Sequence, residues 1–225
     1  MTDDPILAAR ARLHRALADE TRLALLDALA LCDRTPGELR RGLGIGSNLL
    51  AFHLDALEGA GLVARHRSQG DARRRYVRLE PAAWPHVSPA LPGPGGPLGT
   101  VLFVCTHNAA RSQLAEALWR ARTGGRAESA GAHPAAVVDP TAVAVARAHG
   151  LDLGQARPRG YGDVDATPDL VVSVCDRVTE APLPFAAPRL HWSVPDPIGG
   201  DGATFEAAFA DLADRVARLS GAARA

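Results

Sequence analysis

Apolar side chains recur at helical spacing through the first third of the chain, where polar residues fill the intervening positions. The pattern predicts helices at residues 6–17, from Asp19 or Glu20 to Leu31, and from about Ser47 to about Gly59. Thr35, followed three residues later by Glu38, has the form of a capping box and predicts one further helix start. This part of the chain is therefore expected to be helical.

Alternating apolar and polar residues replace the helical spacing in two short segments, 62–66 and 74–79. Two such segments around the polar turn SQGDA predict an antiparallel hairpin. This stretch holds a single acid, Asp71, and a cluster of basic residues, Arg65, Arg67, Arg73, Arg74, Arg75 and Arg78. The hairpin is therefore expected to be basic.

Pro and Gly occupy about half of the segment WPHVSPALPGPGGPLG, residues 84–99. Such a composition does not sustain a helix or a central strand and is typical of a linker. The length of 225 residues also exceeds that of most single domains. We therefore predict two domains, 1–83 and 100–225, joined by a linker at 84–99.

Strands and helices alternate after the predicted linker. An apolar strand at 100–105 enters a polar loop and a helix, and a second helix at 141–150 precedes another strand at 169–174. This alternation predicts an α/β domain with a parallel sheet covered on both faces. Ligands of such sheets bind at the carboxyl ends of the strands.

Composition narrows the classes of protein that this chain can represent. Its 25 basic and 25 acidic residues balance, and no apolar run approaches the length of about 18 residues that a membrane span needs. The start, MTDDPILAARARL, lacks the form of an export signal. Three scattered cysteines are too few for a disulfide framework. We expect a cytoplasmic protein with no membrane contact and no metal site.

The most informative chemistry lies in VCTHNAARSQ, where Cys105 ends a strand and Arg111 opens a helix after a short loop. Loop amides and a helix N-terminus bind tetrahedral oxyanions and stabilise a thiolate, so Cys105 is expected to be nucleophilic. Arg111 offers a planar fork to two anion oxygens, Ser112 can donate to the sulfur, and Asn108 can brace the loop. The predicted oxyanion site comprises Thr106, His107, Asn108, Ala109, Ala110, Arg111 and Ser112.

A plainer interpretation of the same residues stays open. Cys105 can be a small buried hydrophobe at the end of a strand, because thiols are often buried in protein cores. Thr106 and His107 can be loop residues whose side chains turn outward.

Residues 100–222 resemble the low-molecular-weight tyrosine phosphatases and the related arsenate reductases. The resemblance rests on VLFVCTHNAARSQLAEAL, ESAGAHP at 128–134, DLVVSVCD at 169–176 and HWSVPDP at 191–197. It implies a four-stranded parallel sheet with helices on both faces. It also implies that Asp196, in the Asp-Pro pair of a late loop, is a general acid, whereas the alternative is a turn residue before Pro197.

Two features favour arsenate over phosphotyrosine. At position 113 this chain has Gln, whereas the phosphatases that it resembles have Pro. Cys175 ends a strand at a position where the similar arsenate reductases have a second thiol. Reduction of arsenate needs two electrons, so a second sulfur must attack the Cys105 adduct. Cys175 is the candidate for that sulfur, and the alternative is a core residue.

The thioredoxin-linked arsenate reductases resemble one another in using a relay of three cysteines. This chain departs from them, because the region beyond Cys175 reads TEAPLP and contains no third cysteine. Two routes remain open. One is a direct Cys105–Cys175 disulfide, and the other, which we favour, is attack by a small thiol such as mycothiol with a glutaredoxin-like mycoredoxin. No bound cofactor is expected, and thioredoxin remains a candidate reductant.

Residues 1–80 resemble the winged helix-turn-helix of ArsR/SmtB repressors, through ADETRLALLDAL, TPGELRRGLGIGSNLLAFHLDALEGAGLV and RRRYVRL. The resemblance implies that Ser47, Asn48 and His53 enter the major groove of an operator. The arginines expected to neutralise phosphates are Arg65, Arg67, Arg73, Arg74 and Arg75. The alternative is a helical interaction domain with a solvated basic face.

Repressors of this kind bind paired half-sites, so the resemblance also implies a homodimer through the N-terminal helices. Their usual arsenite-binding cysteine pair is missing, because Thr35 and Gly37 occupy those positions. Cys32 lies just upstream and could contribute one thiolate, but a single thiol makes a weak site for a soft metal, so the favoured interpretation is a core residue at a helix end. The prediction is an arsenic-responsive repressor fused to an arsenate reductase, with a tyrosine phosphatase or a non-catalytic oxyanion sensor as alternatives.

Overall fold

The computed structural model describes residues 4–87 and 98–222. Internal contacts divide the chain into two compact units, and each is described by itself. The described N-terminal unit comprises residues 4–67 and 72–87, and the C-terminal unit includes residues 98–222.

The N-terminal unit begins with helices α1 (Pro5–Leu17), α2 (Glu20–Leu29), α3 (Pro36–Leu43) and α4 (Ser47–Gly59). Asp4 and Asp19 cap the first two helices by accepting hydrogen bonds from backbone amides. The capping box predicted at Thr35 and Glu38 is confirmed, since both of its reciprocal hydrogen bonds are formed. Gly44 ends α3 in the left-handed conformation that favours glycine.

The predicted hairpin is confirmed as the antiparallel pair β1 (Val63–Arg67) and β2 (Arg75–Leu79). Helix α2 ends at Leu29, two residues before its predicted end at Leu31. The chain leaves the helix because Arg34 pairs with Val77 of the hairpin through two backbone hydrogen bonds. The core under the helices and the hairpin includes Leu25, Leu26, Leu29, Leu54, Leu57, Leu62 and Val77.

The predicted linker needs one correction at its start. Trp84 and His86 belong to a short 3-10 helix, Pro81–His86, although the composition of this segment argued against any helix. Pro81 is tolerated in the first turn, which needs no N–H donor there, and Ala83 is fully buried in the core of the unit. Residues 88–97 of the predicted linker lie outside the described residues.

The C-terminal unit is built on a four-stranded sheet with the order β4-β3-β5-β6, and each neighbouring pair is parallel. This confirms the predicted parallel sheet. Every residue of β3 is buried, and alternate side chains of a strand point to opposite faces, so both faces of this strand are covered. The strands are β3 (Thr100–Cys105), β4 (Arg126–Gly131), β5 (Leu170–Ser173) and β6 (Arg189–His191).

Helix α5 packs on β3 and β4, and the long C-terminal helix α8 packs on α5 and α6. Phe103 of β3 lies between two indole rings, with ring centroids 6.4 Å from Trp119 and 5.9 Å from Trp192. The helices are α5 (Arg111–Thr123), α6 (Pro140–Ala148), α7 (Asp176–Thr179) and α8 (Gly202–Ala222), and a 3-10 turn spans Tyr161–Asp163. Within the described ranges, none of the helices has the length and apolar character needed to cross a bilayer.

Candidate functional site

The loop between β3 and α5 lies at the carboxyl end of the central strand. Cys105 is the last residue of β3, and Arg111 is the first residue of α5. Asn108 adopts a positive φ of 49°, which turns the backbone sharply between them. The loop therefore curls around the end of its own strand.

The sulfur of Cys105 receives two hydrogen-bonding groups from this loop. The amide nitrogen of Asn108 lies 3.2 Å from Sγ and donates to it. The hydroxyl oxygen of Ser112 lies 3.0 Å from the same sulfur. Donors directed at a sulfur favour its thiolate form, which is the nucleophile. Cys105 is itself buried, and these two polar groups lie directly beside its sulfur.

The side chain of Asn108 braces the loop from inside. Its Nδ2 donates to the hydroxyls of Ser112 and Ser129, each at 2.8 Å. Its Oδ1 accepts from the backbone amide of Arg159 at 2.8 Å and from Nε2 of Gln113 at 2.9 Å. One fully buried amide thus ties the loop to β4, to α5 and to the segment around Arg159.

Gln113 extends the brace that Asn108 begins. Besides Asn108, its Nε2 reaches the backbone carbonyl of Arg157 at 3.1 Å. The sequence marked this residue only as a difference from the phosphatases. In the structure it connects the loop to a segment more than forty positions away.

The outer side of the loop is held by the chain that follows β4. The carbonyl oxygens of Cys105, Thr106, His107 and Ala109 accept hydrogen bonds from backbone amides between residues 132 and 139. Because these carbonyl groups accept hydrogen bonds on the outer side, the amide groups of the loop remain for its inner side. The amide of Asn108 faces the Cys105 sulfur there. Gly131 permits the close approach, because an added Cβ would lie 2.9 Å from the Asn108 nitrogen and the Thr106 oxygen.

Arg111 is only 5% exposed and is fixed at both ends of its guanidinium. Nη1 donates to the carbonyl oxygen of Val194 at 2.9 Å, and Nη2 lies 2.7 Å from Oδ2 of Asp196. Arg111, Asp196, Thr106 and Cys175 line one cavity. Three of the four residues with predicted catalytic roles, Arg111, Asp196 and Cys175, thus line one cavity. The fourth, Cys105, precedes the loop that leads to Arg111.

Cys175 follows β5 and is buried beside the loop. Its sulfur lies 3.5 Å from the hydroxyl oxygen of Thr106. Burial raises the pKa of the Cys175 thiol, and the neighbouring Cys105 adds to this rise against an opposing influence of Arg111. Cys105 and Cys175 are both thiols without a disulfide.

Asp176 and His191 form a buried pair that the sequence analysis missed. Oδ1 of Asp176 lies 3.1 Å from Nε2 of His191, whose Nδ1 lies 3.0 Å from the hydroxyl of Ser173. Burial opposes the charge on Asp176, but hydrogen bonds from His191 and Ser193 outweigh it and lower the pKa of the carboxyl. Asp176 also lines the cavity of Arg111 and Cys175. Asp176 and His191 both lie in motifs that the sequence analysis quoted, VCD and HW. Their contact follows from the parallel pairing of β5 with β6, which local sequence does not show.

Tyr161 is a second residue near the thiols that the sequence did not indicate. Burial, together with the proximity of Cys175 and Cys105, raises the pKa of its phenol to about 12. Its ring meets that of Phe185 edge to face, with centroids 5.4 Å apart. Tyr161 therefore stays protonated at neutral pH and adds an aromatic group to the surroundings of the two sulfurs.

Only some of the helix residues predicted to contact DNA are exposed. Ser47 and Asn48 are exposed in the first turn of α4. His53 is 5% exposed and faces Asp19, with 3.6 Å between Nδ1 and Oδ1, so the structure does not present it to a base. The reason is helical periodicity, which places position 53 on the core-facing side with Leu50 and Leu57.

The arginines of the hairpin also divide into two groups. Arg65 contacts the carboxylates of Asp55 and Glu58 on α4, and these hydrogen bonds raise the pKa of its guanidinium. Its charge is thus already compensated, which argues against the predicted phosphate contact. The exposed members are Arg67, Arg73, Arg74 and Arg75, of which the last three line a shallow recess with Thr35 and Pro36.

Cys32 is the remaining cysteine of the chain. Cys32 is half-buried, and its thiol lies 3.4 Å from the carbonyl oxygen of Asp33. Across residues 4–87 and 98–222, His, Cys, Asp and Glu side chains form no group of three that could hold a metal ion.

Comparison with known proteins agrees with this geometry. The sequence profile of the low molecular weight phosphotyrosine protein phosphatases matches residues 100–224, and that of a helix-turn-helix domain matches residues 17–66. The chain is similar to an arsenate reductase of Bacillus cereus strain Q1, with 31% identity over 127 residues, 54% of this chain and 93% of that protein.

A similar arsenate reductase from Brevibacillus brevis is also 31% identical over 127 residues, 54% of this chain and 93% of its own length. Among solved structures, an arsenate reductase from Archaeoglobus fulgidus is 38% identical and aligns with a TM-score of 0.50 over 54% of this chain and 98% of its own. The chain therefore belongs to the low molecular weight phosphotyrosine protein phosphatase family, with a helix-turn-helix domain preceding the phosphatase fold.

Proposed function

We propose that the C-terminal unit reduces arsenate to arsenite and that the N-terminal unit represses transcription at a DNA operator. The observation that carries the enzymatic part is the sulfur of Cys105, which faces the Asn108 amide and the Ser112 hydroxyl in the same loop as Arg111. Tetrahedral oxyanions suit such a loop. The similar proteins from Bacillus cereus and Archaeoglobus fulgidus, both called arsenate reductases, support arsenate as the substrate.

In the first step, Arg111 and the amides of residues 106–112 bind the oxyanion. The Cys105 thiolate attacks arsenic, and one arsenate oxygen departs after accepting a proton, which leaves a covalent sulfur–arsenic(V) adduct. Asp196 is the proposed proton donor, because its carboxyl group lies beside Arg111 in the cavity that would hold the anion.

In the second step, another thiolate attacks the sulfur of Cys105. A disulfide forms, the sulfur–arsenic bond breaks, and its electron pair reduces arsenic(V) to arsenic(III), which leaves as arsenite. We assign the attacking sulfur to a small thiol such as mycothiol, with mycoredoxin to restore Cys105. Burial raises the pKa of Cys175, so this residue is a poor nucleophile at neutral pH without activation, which supports an external thiol.

We assign operator binding in the N-terminal unit to α4 and to the exposed arginines of the hairpin. Ser47 and Asn48 would contact base edges, and Arg67, Arg73, Arg74 and Arg75 would contact phosphates. The exposed apolar residues Ile6 and Leu7 of α1 support dimerisation through the N-terminal helices. Because operator binding and a reduced thiol both suit the cytoplasm, we place the protein there.

A phosphatase is the second candidate, since the matching family profile carries that description and Asp196 would serve equally in aryl phosphate hydrolysis. Such a reaction needs no second thiol. Steady hydrolysis of p-nitrophenyl phosphate, unchanged in Cys175→Ser and accompanied by no arsenite formation, would favour it. Operator release by arsenate in Cys105→Ser, again without arsenite, would favour a non-catalytic sensor.

The deciding experiment uses the full chain and measures arsenite formed from arsenate. One reaction contains thioredoxin with its reductase and NADPH, and the other contains mycothiol and mycoredoxin. We expect turnover with mycothiol, loss of turnover in Cys105→Ser, and full activity in Cys32→Ser, which removes a thiol outside the loop. Absence of arsenite in both mixtures would reject the reductase proposal.

A further inference from the structure

Helix α4 presents two large apolar side chains to solvent on the side away from its core. Phe52 is 62% exposed and Leu49 is 47% exposed. They are separated by three positions, so they occupy neighbouring places on one helix face. Leu50, Leu54 and Leu57 bury the opposite face of the helix. Leu49 and Phe52 therefore do not belong to the core of the unit.

Asn48, four positions before Phe52, continues this face toward the start of the helix, and Ser47 is exposed beside it in the first turn. The combination of short hydrogen-bonding side chains with adjacent apolar groups matches the edge of a base pair in the major groove. There, each thymine offers an oxygen acceptor and a 5-methyl group, and apolar side chains such as Phe contact that methyl.

The charges around this face favour a polyanion over an apolar protein surface. Asp55, one turn beyond Phe52, and Glu58 both contact Arg65, which offsets one of their two negative charges. Exposed arginines follow on the hairpin, at positions 67 and 73–75. Counted over these residues, the four arginines outweigh the one carboxylate charge that Arg65 leaves uncompensated, and this excess of positive charge favours a duplex.

We infer that Phe52 and Leu49 specify thymine by contacting its 5-methyl group in the operator. The inference rests on the proposed DNA-binding function and adds the chemistry of base selection to it. Ser47 and Asn48 would bind polar base edges, while the two apolar side chains would exclude water from the thymine methyls. The predicted operator half-site therefore contains at least one thymine whose methyl group, rather than its pairing edge, determines affinity.

The experiment begins with enrichment of duplexes from a random-sequence pool by the full-length protein. Affinity for an enriched duplex is then measured by fluorescence anisotropy, and each thymine is replaced in turn by deoxyuridine. This replacement removes only the methyl group and keeps base pairing. At the contacted position we expect binding to weaken about fourfold, which corresponds to the loss of one buried methyl-sized group.

Variants assign the methyl contact to a side chain. Phe52→Ala should bind the thymine duplex more weakly and should no longer distinguish thymine from deoxyuridine at one position, and Leu49→Ala should do the same at another. Leu23→Ala is the matched control, because Leu23 is an exposed leucine on α2. It should retain the full deoxyuridine penalty.

Two outcomes separate this inference from the function on which it rests. If a duplex is enriched but no deoxyuridine replacement weakens binding, or if Phe52→Ala and Leu49→Ala both keep the penalty, thymine selection by these residues is wrong. The exposed face would then be left to a protein partner. If the pool yields no enriched duplex at all, the operator-binding proposal itself fails.

Discussion

The guanidinium of Arg111 and the carboxyl group of Asp196 lie 2.7 Å apart, Nη2 to Oδ2. Arg111 is almost fully buried, whereas about a third of the Asp196 side chain is exposed. An arriving oxyanion would compete with Asp196 for the same guanidinium, since a fork of this kind also binds anion oxygens. Substrate binding would therefore release the carboxyl group beside the oxygens that must depart.

Replacement of Asp196 by Asn tests this exchange. The variant keeps the size of the side chain but can neither ionise nor donate a carboxyl proton, so we expect kcat for arsenate reduction to fall about 10²- to 10⁴-fold. KM for arsenate should stay constant or fall, because a neutral amide competes less strongly for Arg111 than a carboxylate does. Steady-state kinetics with the mycothiol system would measure both constants. An unchanged kcat would remove Asp196 from the chemistry.

Gln113 is expected to stabilise the loop through its amide group. Gln113→Met keeps the length of the side chain and removes the donor, which leaves Oδ1 of Asn108 and the carbonyl of Arg157 without this partner. We expect the free energy of unfolding to fall by about 1–3 kcal/mol, measured by urea denaturation. Gln155→Met, at an exposed position of the same segment, is the control and should leave the unfolding midpoint unchanged.

Cys175 should react with iodoacetamide only at alkaline pH. Because burial raises its pKa above the ordinary value of 9.0, the thiolate fraction remains small at neutrality. The folded state holds this proton more tightly than the unfolded state, so its contribution to stability is complete below the unfolded pKa. That contribution is lost as the pH rises through the folded value.

Peptide mass spectrometry of alkylated protein between pH 6 and pH 10.5 would follow each cysteine separately. We expect the labelling rate of Cys175 to keep rising above pH 9. Cys32, which is half-buried, provides the internal reference. A labelling rate for Cys175 that is already level at pH 8 would contradict the raised pKa.

The Asp176–His191 pair should stabilise the fold only while Asp176 is ionised. The pKa of this carboxyl is lower in the folded state, so its contribution is complete above the unfolded value of about 3.9 and is lost as the pH falls through the folded value. Urea unfolding should show Asp176→Asn to be less stable than the wild type at pH 7, with a gap that narrows toward pH 3.

The matched control for this titration is Asp165→Asn, since the Asp165 side chain is 91% exposed. Its unfolding curve should follow the wild type throughout the pH range. An Asp176→Asn gap that stays constant between pH 7 and pH 3 would show that the residue acts through shape rather than charge.

Local patterns in the sequence anticipated the elements that depend on neighbouring residues. The capping box at Thr35, the strand that ends at Cys105 and the helix that opens at Arg111 were all predicted correctly. Each follows from spacing within a few positions. The parallel sheet could also be predicted from the sequence, because its strands alternate with helices along the chain.

The assignments that the structure does not support involve both local helical phase and contacts between distant positions. His53 was assigned to DNA by its place in a resemblance, although its helical phase with Leu50 and Leu57 buries it. Arg65 was counted with the phosphate-binding arginines, but its partners lie on α4, seven and ten positions earlier. The pairing of Asp176 with His191 depends on strand order, which no local spacing specifies.

Gly131 extends this dependence on distant positions to any attempt at engineering. The backbone of the anion loop passes so near the end of β4 that a single added carbon would lie 2.9 Å from two of its atoms. Transplanting residues 105–111 together with this close packing would therefore require a neighbouring strand that ends in glycine. A transferable module would also have to include the segment around Arg159, which donates to the Asn108 side chain inside the loop.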